Sequence, residues 1–524
     1  VYTPLELVDF VLRSVDAVLQ QNFGRGLTAE DVHILDPFTG TGTFIYRLLT
    51  QNNSAGEPLI ADKDLERKFL NTYNPTVPGG SAQEIHANEL VLLAYYLAAL
   101  KIEEGYRDRT GGYQPFSGIV LTDTFEHDPS TLPDTGAIGY NTARAKQQHD
   151  LPIQVIVANP PWSAGQKSSG DDNPRREYPH IEQRVRDTYG KRHREVTGKG
   201  AGKSAGNLYV QAIRWASDRL NHPKGNDQPG VIAFIHPNSL CNATSLAGMR
   251  AALRDEFTDI YVVNFLGDAM KSGEERRKEG DPVFGQGTRN GVQITVTVRN
   301  PHKDQREPAQ VHYAEVPEYS TLQQKFDWLE DLGDMTSDAF ETVPLNDNHD
   351  WINITDGTFN NLMPLCELGR TGTPNAAIET HALGLATNCD TYVYSFSRDS
   401  LIYKITQFID AYMDARELHH DLGLSFEECT ANTDLNVIKW TGTLKQSLKK
   451  GEEIVFDETR IREVLYRPFT KLWLYEDHRI LSSVKTVSAM FPINNGDNSV
   501  GSDPSIHPSI HPSIQPTNQP TNQP

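Results

Sequence analysis

A short apolar segment, Val32-His33-Ile34-Leu35, runs directly into Asp36-Pro37-Phe38-Thr39-Gly40-Thr41-Gly42-Thr43-Phe44, and residues 45–49 continue as an apolar helix start. Strand, glycine turn and helix in immediate succession are the unit from which parallel sheets are wound. The two glycines permit backbone angles and close approaches that a Cβ would block. The same alternation continues downstream. Helical spacing (Leu5, Val8, Val11, Leu12, Val15, Leu19) covers residues 1–20, with Pro4 at the entry. Strands are expected at 32–36, 118–122, 153–158, 231–235 and 260–265, and helices at 86–102, 207–220 and 249–257. Residues 291–299 alternate as a terminal strand. Residues 126–150 read as loop, and 51–83 have no assignable pattern.

This rhythm predicts an α/β fold: a doubly wound, Rossmann-like sheet over residues 1–300. Residues 301–490 lose the rhythm and are expected to form a second, mixed α/β domain. From Ser505 to Pro524 a proline recurs every fourth residue. That spacing excludes helix and central strand, so residues 491–524 are expected to be a disordered tail. A length of 524 residues accommodates two or three such domains. The chain opens on Val1 rather than Met, which suggests a piece of a longer polypeptide.

The longest apolar run, residues 90–100, is too short to span a bilayer and reads as a buried helix. Cys241, Cys366, Cys389 and Cys429 form no Cys-x-x-Cys pair. A zinc site is therefore not expected, and a reducing, intracellular (cytoplasmic or nucleoid) setting is. A net charge of −20 argues against binding nucleic acid through bulk charge. A local exception is the basic stretch 175–203, which reads either as a solvated loop or as a phosphate-gripping one. Within it, Gly198-Lys199-Gly200-Ala201-Gly202-Lys203-Ser204 resembles a phosphate loop. Its first required glycine would fall at Thr197 and no strand precedes it, so neither ATP nor a metal is expected here.

Four points along the sheet carry chemistry. Asp36, at a strand end, suits a ligand with a cationic group better than a pyrophosphate. Glu89, at the start of the predicted long helix, is placed to meet ribose hydroxyls. Asp123 ends the next strand, with Phe125 close behind; a carboxylate there can accept from an exocyclic amine, and the ring can pack on its heterocycle. The strongest feature is Asn159-Pro160-Pro161-Trp162. The Asn159 side-chain oxygen and the Pro160 carbonyl can accept both hydrogens of one planar amine, which localises its lone pair and stabilises the developing positive charge. Trp162 offers a stacking surface. The pattern suits methylation of an exocyclic amine with S-adenosylmethionine as donor. A duplex base would have to flip out to reach it.

Tyr2-Thr3-Pro4, residues 36–44, Glu89, Asp123 and residues 159–162 resemble, in that order, the motifs of gamma-class amino-methyltransferases acting on adenine N6 in DNA. Residues 212–219, 267–284 and Tyr466-Arg467-Pro468-Phe469 are similar to the Type ISP restriction–modification enzymes. The resemblance implies an S-adenosylmethionine site made of Thr3 (methionine carboxylate), Asp36, Pro37, Gly40, Gly42 and Phe44 (amino-acid end), Glu89 (ribose), and Asp123 with Phe125 (adenine). It implies double-stranded DNA as partner and residues 301–490 as a shortened target-recognition domain. Within that domain Lys445, Lys449, Lys450, Arg467 and Lys471 are candidate phosphate contacts, with plain surface charge as the more ordinary reading of each. The nuclease and helicase of that family have no counterpart in these residues, so cleavage is not expected. Methylation of cytosine N4 or of a glutamine amide, and a catalytically inactive DNA-binding remnant, are the alternatives.

Overall fold

The computed structural model describes residues 3–70, 83–126, 139–162, 178–198, 206–220, 222, 228–285, 289–303, 307–354, 358–365, 376–378, 385–420, 422–430, 433–434, 436–467 and 469–482. The proline-repeat tail lies outside them, as do Tyr2, Cys366 and most of the phosphate-loop look-alike. The chain divides into two compact units, Val1–Asp356 and Gly357–Pro524. No helix among the described residues is long and apolar enough to cross a membrane.

The first unit is organised by a nine-stranded sheet. Its strands are β1 (His33–Asp36), β2 (Ile85–Glu89), β3 (Ile119–Leu121), β4 (Ile153–Ala158), β5 (Gly230–Pro237), β6 (Asp259–Asn264), β7 (Val292–Arg299), β8 (Gln310–Glu315) and β9 (Glu341–Val343). They lie in the order β3-β2-β1-β4-β5-β7-β6-β8-β9. The block β3-β2-β1-β4-β5 is parallel throughout. The order reverses between β1 and β4, so the connections out of these neighbours leave on opposite faces and open a crevice at their C-terminal ends. Helices cover both faces. Val155, Val157, Val231, Ala233 and Ile235 belong to one core, which includes the helix Leu5–Phe23, while Ile156, Ala158, Ile232 and Phe234 belong to the other. Burial on both faces explains why these strands read as continuous apolar runs.

Four expectations need correction. Residues 86–102 are not one helix: 85–89 form β2, and the helix begins at Leu92 and runs to Thr110. No glycine or proline separates the two, so the apolar run hides the junction. The face of this helix carrying Leu93, Tyr96, Leu97 and Leu100 is exposed rather than buried; only the opposite side, with Ala98, Ile102 and Tyr106, enters the core. Residues 139–150 are a helix, not a loop. Its Asn141 amide replaces a strand neighbour, accepting from Leu121 N and donating to Leu121 O. Finally, β7 is interior rather than terminal, antiparallel to both β5 and β6.

The sheet also passes residue 300. β8 pairs with β6 over six residues, β9 pairs with β8, and the first unit therefore extends to Asp356. Much of the basic stretch is helical as well, at Pro179–Val185 and Lys191–Thr197. Three of its arginines are paired: Arg184 with Asp218, Arg186 with Glu182, and Arg192 with Glu195 and Asp255. The described part of that charge run is thus helical rather than a loop, while Arg175, Arg176, Lys199 and Lys203 lie outside the described residues.

The second unit packs β10 (Tyr394–Ser395), β12 (Thr470–Tyr475) and β11 (Ile461–Arg467), an antiparallel sheet in that order, with the helices Arg398–His420 and Gly442–Lys449. Leu401, Ile405, Phe408, Tyr412, Leu444, Leu448 and Leu474 share its core.

A buried histidine couples the first unit to pH. His236 on β5 is fully buried and stacks on Tyr209 at 5.5 Å. Its Nδ1 lies 3.0 Å from the Pro237 carbonyl and its Nε2 3.0 Å from Thr295 Oγ1. Burial pulls its pKa down to about 4. The unfolded chain takes up this proton near pH ~6.5. Stability from this group is thus complete above that pH and is lost as pH falls toward 4. Burial also holds His86 well below its ordinary value, in the same direction. Denaturant titrations should show a loss of roughly 3 kcal/mol from His236 between neutral pH and mild acid. His236→Gln should shrink that loss; an unchanged pH dependence would refute the assignment.

Candidate active site

The C-terminal edge of the parallel strands carries most of the sequence-predicted residues of the first unit. β1 ends in Asp36, whose carboxyl is only 1% exposed. Its Oδ1 accepts from Phe38 N at 3.1 Å, while Oδ2 is buried with no partner. Burial, with the Glu89 carboxylate adding in the same direction, pushes its pKa up to about 8. An orphaned carboxylate oxygen at a strand end is a position made for a donor or a cation brought by a ligand.

The glycines of the turn serve different ends. Gly40 has φ +56° and open space where a Cβ would stand. Its N–H donates to Glu89 Oε2 at 2.7 Å. Gly42 has φ +80°, and a Cβ there would meet Ala98 Cα at 3.0 Å, so it is the residue that lets the turn lie against the Leu92–Thr110 helix. Phe44, expected among the cofactor-binding residues, instead packs into the core with Ile45 and Leu48, because the first turn of its helix faces inward. Pro37 is buried, and its carbonyl accepts from Thr124 Oγ1.

Glu89 stands at the C-terminal end of β2 rather than at a helix start. Its second oxygen accepts from Val91 N at 2.7 Å, so the carboxylate is held by two backbone donors before any ligand arrives. Asp123, two residues beyond β3, accepts from Phe125 N and from Tyr178 Oη, each at 3.1 Å. Phe125 lies between Phe38 and Tyr178, at 5.4 and 4.9 Å between ring centroids.

Beyond β4, Asn159 is half-buried, Pro160 buried and Pro161 exposed. Asn159 Nδ2 donates to Thr3 Oγ1 at 3.0 Å. Thr3 thereby orients the amide, and this leaves Oδ1 to accept from something else. Trp162 is tied edgewise: its Nε1 donates to the Ile235 carbonyl at 3.3 Å, and Phe284 meets it at 5.0 Å with the rings at 85°.

Three residues escaped sequence reasoning. Asn88, buried on β2 next to Glu89, has an amide with neither end partnered. Tyr178 lies 55 residues from Asp123, and Phe284 is far from Trp162 in sequence. Alternation within β2 could have flagged Asn88 as an inward polar residue; the other two depend on tertiary contacts. In the second unit, Lys450 pairs with Glu452, Lys471 with Glu463, and Lys445 lies over the Phe426 ring at 4.7 Å. Lys449 and Arg467 are exposed.

A family model described as the Type ISP C-terminal specificity domain matches residues 376–518. A nuclease-deletion mutant of the Type ISP restriction–modification enzyme LlaGI, solved with a DNA substrate mimic, is 35% identical with a TM-score of 0.75, covering 92% of this chain and 37% of that one. The ATP-dependent Type ISP enzyme LlaBIII bound to DNA is 32% identical with a TM-score of 0.73, covering 92% of this chain and 30% of its own. A DrdV–DNA complex is 30% identical with a TM-score of 0.74, covering 92% and 44%. No curated protein sequence matches. The chain thus spans less than half of each of these solved chains. Over 92% of its length the chain is similar to Type ISP restriction–modification enzymes, and residues 376–518 match the model of their C-terminal specificity domain.

Proposed function

We propose that this chain transfers a methyl group from S-adenosylmethionine to the N6 amine of an adenine flipped out of double-stranded DNA, and that residues beyond 356 select the sequence. The observation that carries this is the state of Asn159. Its Nδ2 is occupied by Thr3, which leaves Oδ1 as an acceptor just beyond the end of β4, the strand neighbouring β1 with its unpartnered Asp36 oxygen. That the LlaGI, LlaBIII and DrdV structures were solved with DNA supports the choice of substrate.

S-adenosylmethionine, when bound, supplies a methyl group on a positively charged sulfur. Asp36 Oδ2 and the open Gly40 backbone would hold its amino-acid end, Glu89 its ribose hydroxyls, and Asp123 with Phe125 its adenine. At the target, Asn159 Oδ1 and the Pro160 carbonyl would accept the two amine hydrogens, which draws the nitrogen lone pair out of conjugation and toward the methyl. The same two acceptors stabilise the positive charge that forms on the amine before it releases its proton. Trp162, fixed in its plane by the Ile235 carbonyl, would take the face of the base. Extruding a base costs a few kcal/mol, which stacking on an indole offsets in part.

Incubation with tritiated cofactor and adenine-containing duplexes should yield N6-methyladenine on nucleoside analysis; label in cytosine would redirect the assignment to N4. Asn159→Ala should lower the rate on the order of 100-fold or more. Equal rates for the two proteins would sink the mechanism. Cofactor binding should also respond to pH. With the free carboxyl of Asp36 near 8, a cationic ligand must first displace its proton, so affinity should rise up to roughly tenfold per pH unit between pH ~6 and ~8 and level off above. Asp36→Asn should flatten that slope in calorimetric titrations, and a slope retained in the variant would exclude Asp36 as its source.

A further inference from the structure

The loop that brings Phe284 to Trp162 is built around a buried charge. Residues 266–284 leave the end of β6 and return with Val283 and Phe284 buried. Between them lie Lys271, Glu274, Glu275, Arg276, Arg277 and Lys278, too polar to be held by a core. Lys325, on the helix Leu322–Leu332, is fully buried. Its ammonium donates to the carbonyls of Phe265 at 2.7 Å, Glu279 at 2.9 Å and Asp281 at 2.8 Å.

Those carbonyls belong to both ends of the loop. Three N–H donors meet three carbonyls, which is the full donor capacity of an ammonium. No carboxylate pairs with it among the described ion pairs, and an unpaired buried charge costs several kcal/mol. The geometry is therefore not a by-product of packing, for which a Met or Leu would serve better. Neighbouring contacts tighten the same joint. Asp281 N donates to the Ser320 carbonyl at 3.0 Å and Leu322 N to Asp281 Oδ2 at 3.1 Å. A Cβ on Gly280 would lie 2.2 Å from that Ser320 carbonyl, so the two segments touch backbone to backbone. The buried Glu279 carboxylate accepts from Asp268 N at 2.9 Å and from Lys271 Nζ at 2.5 Å.

We infer that Lys325 is a positioning residue for the crevice: by gathering the carbonyls of Phe265, Glu279 and Asp281 it fixes the approach of Phe284 to Trp162, and with it the surface on which a flipped base is laid. The consequence for DNA rests on the proposed methyltransferase activity; the clamp itself does not. Lys325 touches no reacting group and acts through Phe284.

The test uses the full chain with Lys325→Met, Phe284→Ala and the double variant. Of the six tryptophans, the emission of Trp162 is isolated as the difference between wild type and Trp162→Phe. Lys325→Met should red-shift that component and raise KM for duplex DNA roughly tenfold while cofactor Kd stays unchanged. In the Phe284→Ala background it should add less than about twofold, since both changes act through one contact. An unshifted Trp162 component, independent multiplicative effects, or a parallel loss of cofactor affinity would overturn the assignment. If Lys325→Met does not fold, Glu279→Gln, which loosens the same loop from its Lys271 side, is judged by the same criteria. A wild type that methylates nothing removes the DNA reading, yet the emission shift still decides whether Lys325 holds the loop.

Discussion

The first unit depends on one topological constraint: the reversal of strand order between β1 and β4. In a parallel sheet every strand delivers its C-terminal end to the same edge. At a reversal, the chains leaving two neighbours turn to opposite faces and cannot cover the gap between them. Asp36 and Asn159 are the residues at the mouth of that gap. Everything else in the crevice supports one or the other: Glu89 ties down the Gly40 turn beneath Asp36, Thr3 orients the Asn159 amide, and the Ile235 carbonyl fixes Trp162. The buried Asp36 carboxyl and the Asn159 amide are brought to neighbouring strand ends by backbone routing before any side-chain contact acts.

Electrostatics then separates the two halves. Asp36 is desolvated and lacks a partner for one oxygen, so its carboxyl resists ionisation until a cation arrives. Glu89 has an oxygen on each of two backbone N–H groups and is preorganised as an acceptor. Two carboxyl groups on adjacent strands thus differ in character, because one is starved of donors and the other supplied with them.

Much of this was legible in the sequence, and the failures have physical causes. Parallel strands such as β4 and β5 were found because burial on both faces leaves uninterrupted apolar runs, and residues at strand ends could be named because ligand sites in such sheets gather there. The junction at Glu89 was missed because β2, Ile85-His86-Ala87-Asn88-Glu89, has no apolar run of its own and no glycine or proline separates it from the apolar start of the helix. The helix at 139–150 was missed because it holds its place through polar pairing of Asn141 with Leu121, which leaves no apolar period. The outward face of the Leu92–Thr110 helix was misread because an apolar run of that kind does not say which side is covered. Phe284 could not be placed beside Trp162 at all, since only the folded loop brings it there. The division at 356 was missed for a simpler reason: β8 mixes buried and exposed residues and β9 is three residues long, so neither shows the apolar run of the earlier strands.

The position of β7 has a consequence for how the chain comes into being. β6 is made before β7 but has no place in the sheet without it, because β7 stands between β5 and β6 and bonds to both. During synthesis the strands up to β5 can pair in turn as they emerge, whereas β6 must wait until Arg299 has cleared the ribosome. For that interval the edge of β5 and the fully apolar Ile260, Val262 and Val263 are open at once, and pairing with a neighbouring nascent chain competes with the native insertion. Completion of the sheet on that side therefore waits on the closing of one antiparallel strand between two others.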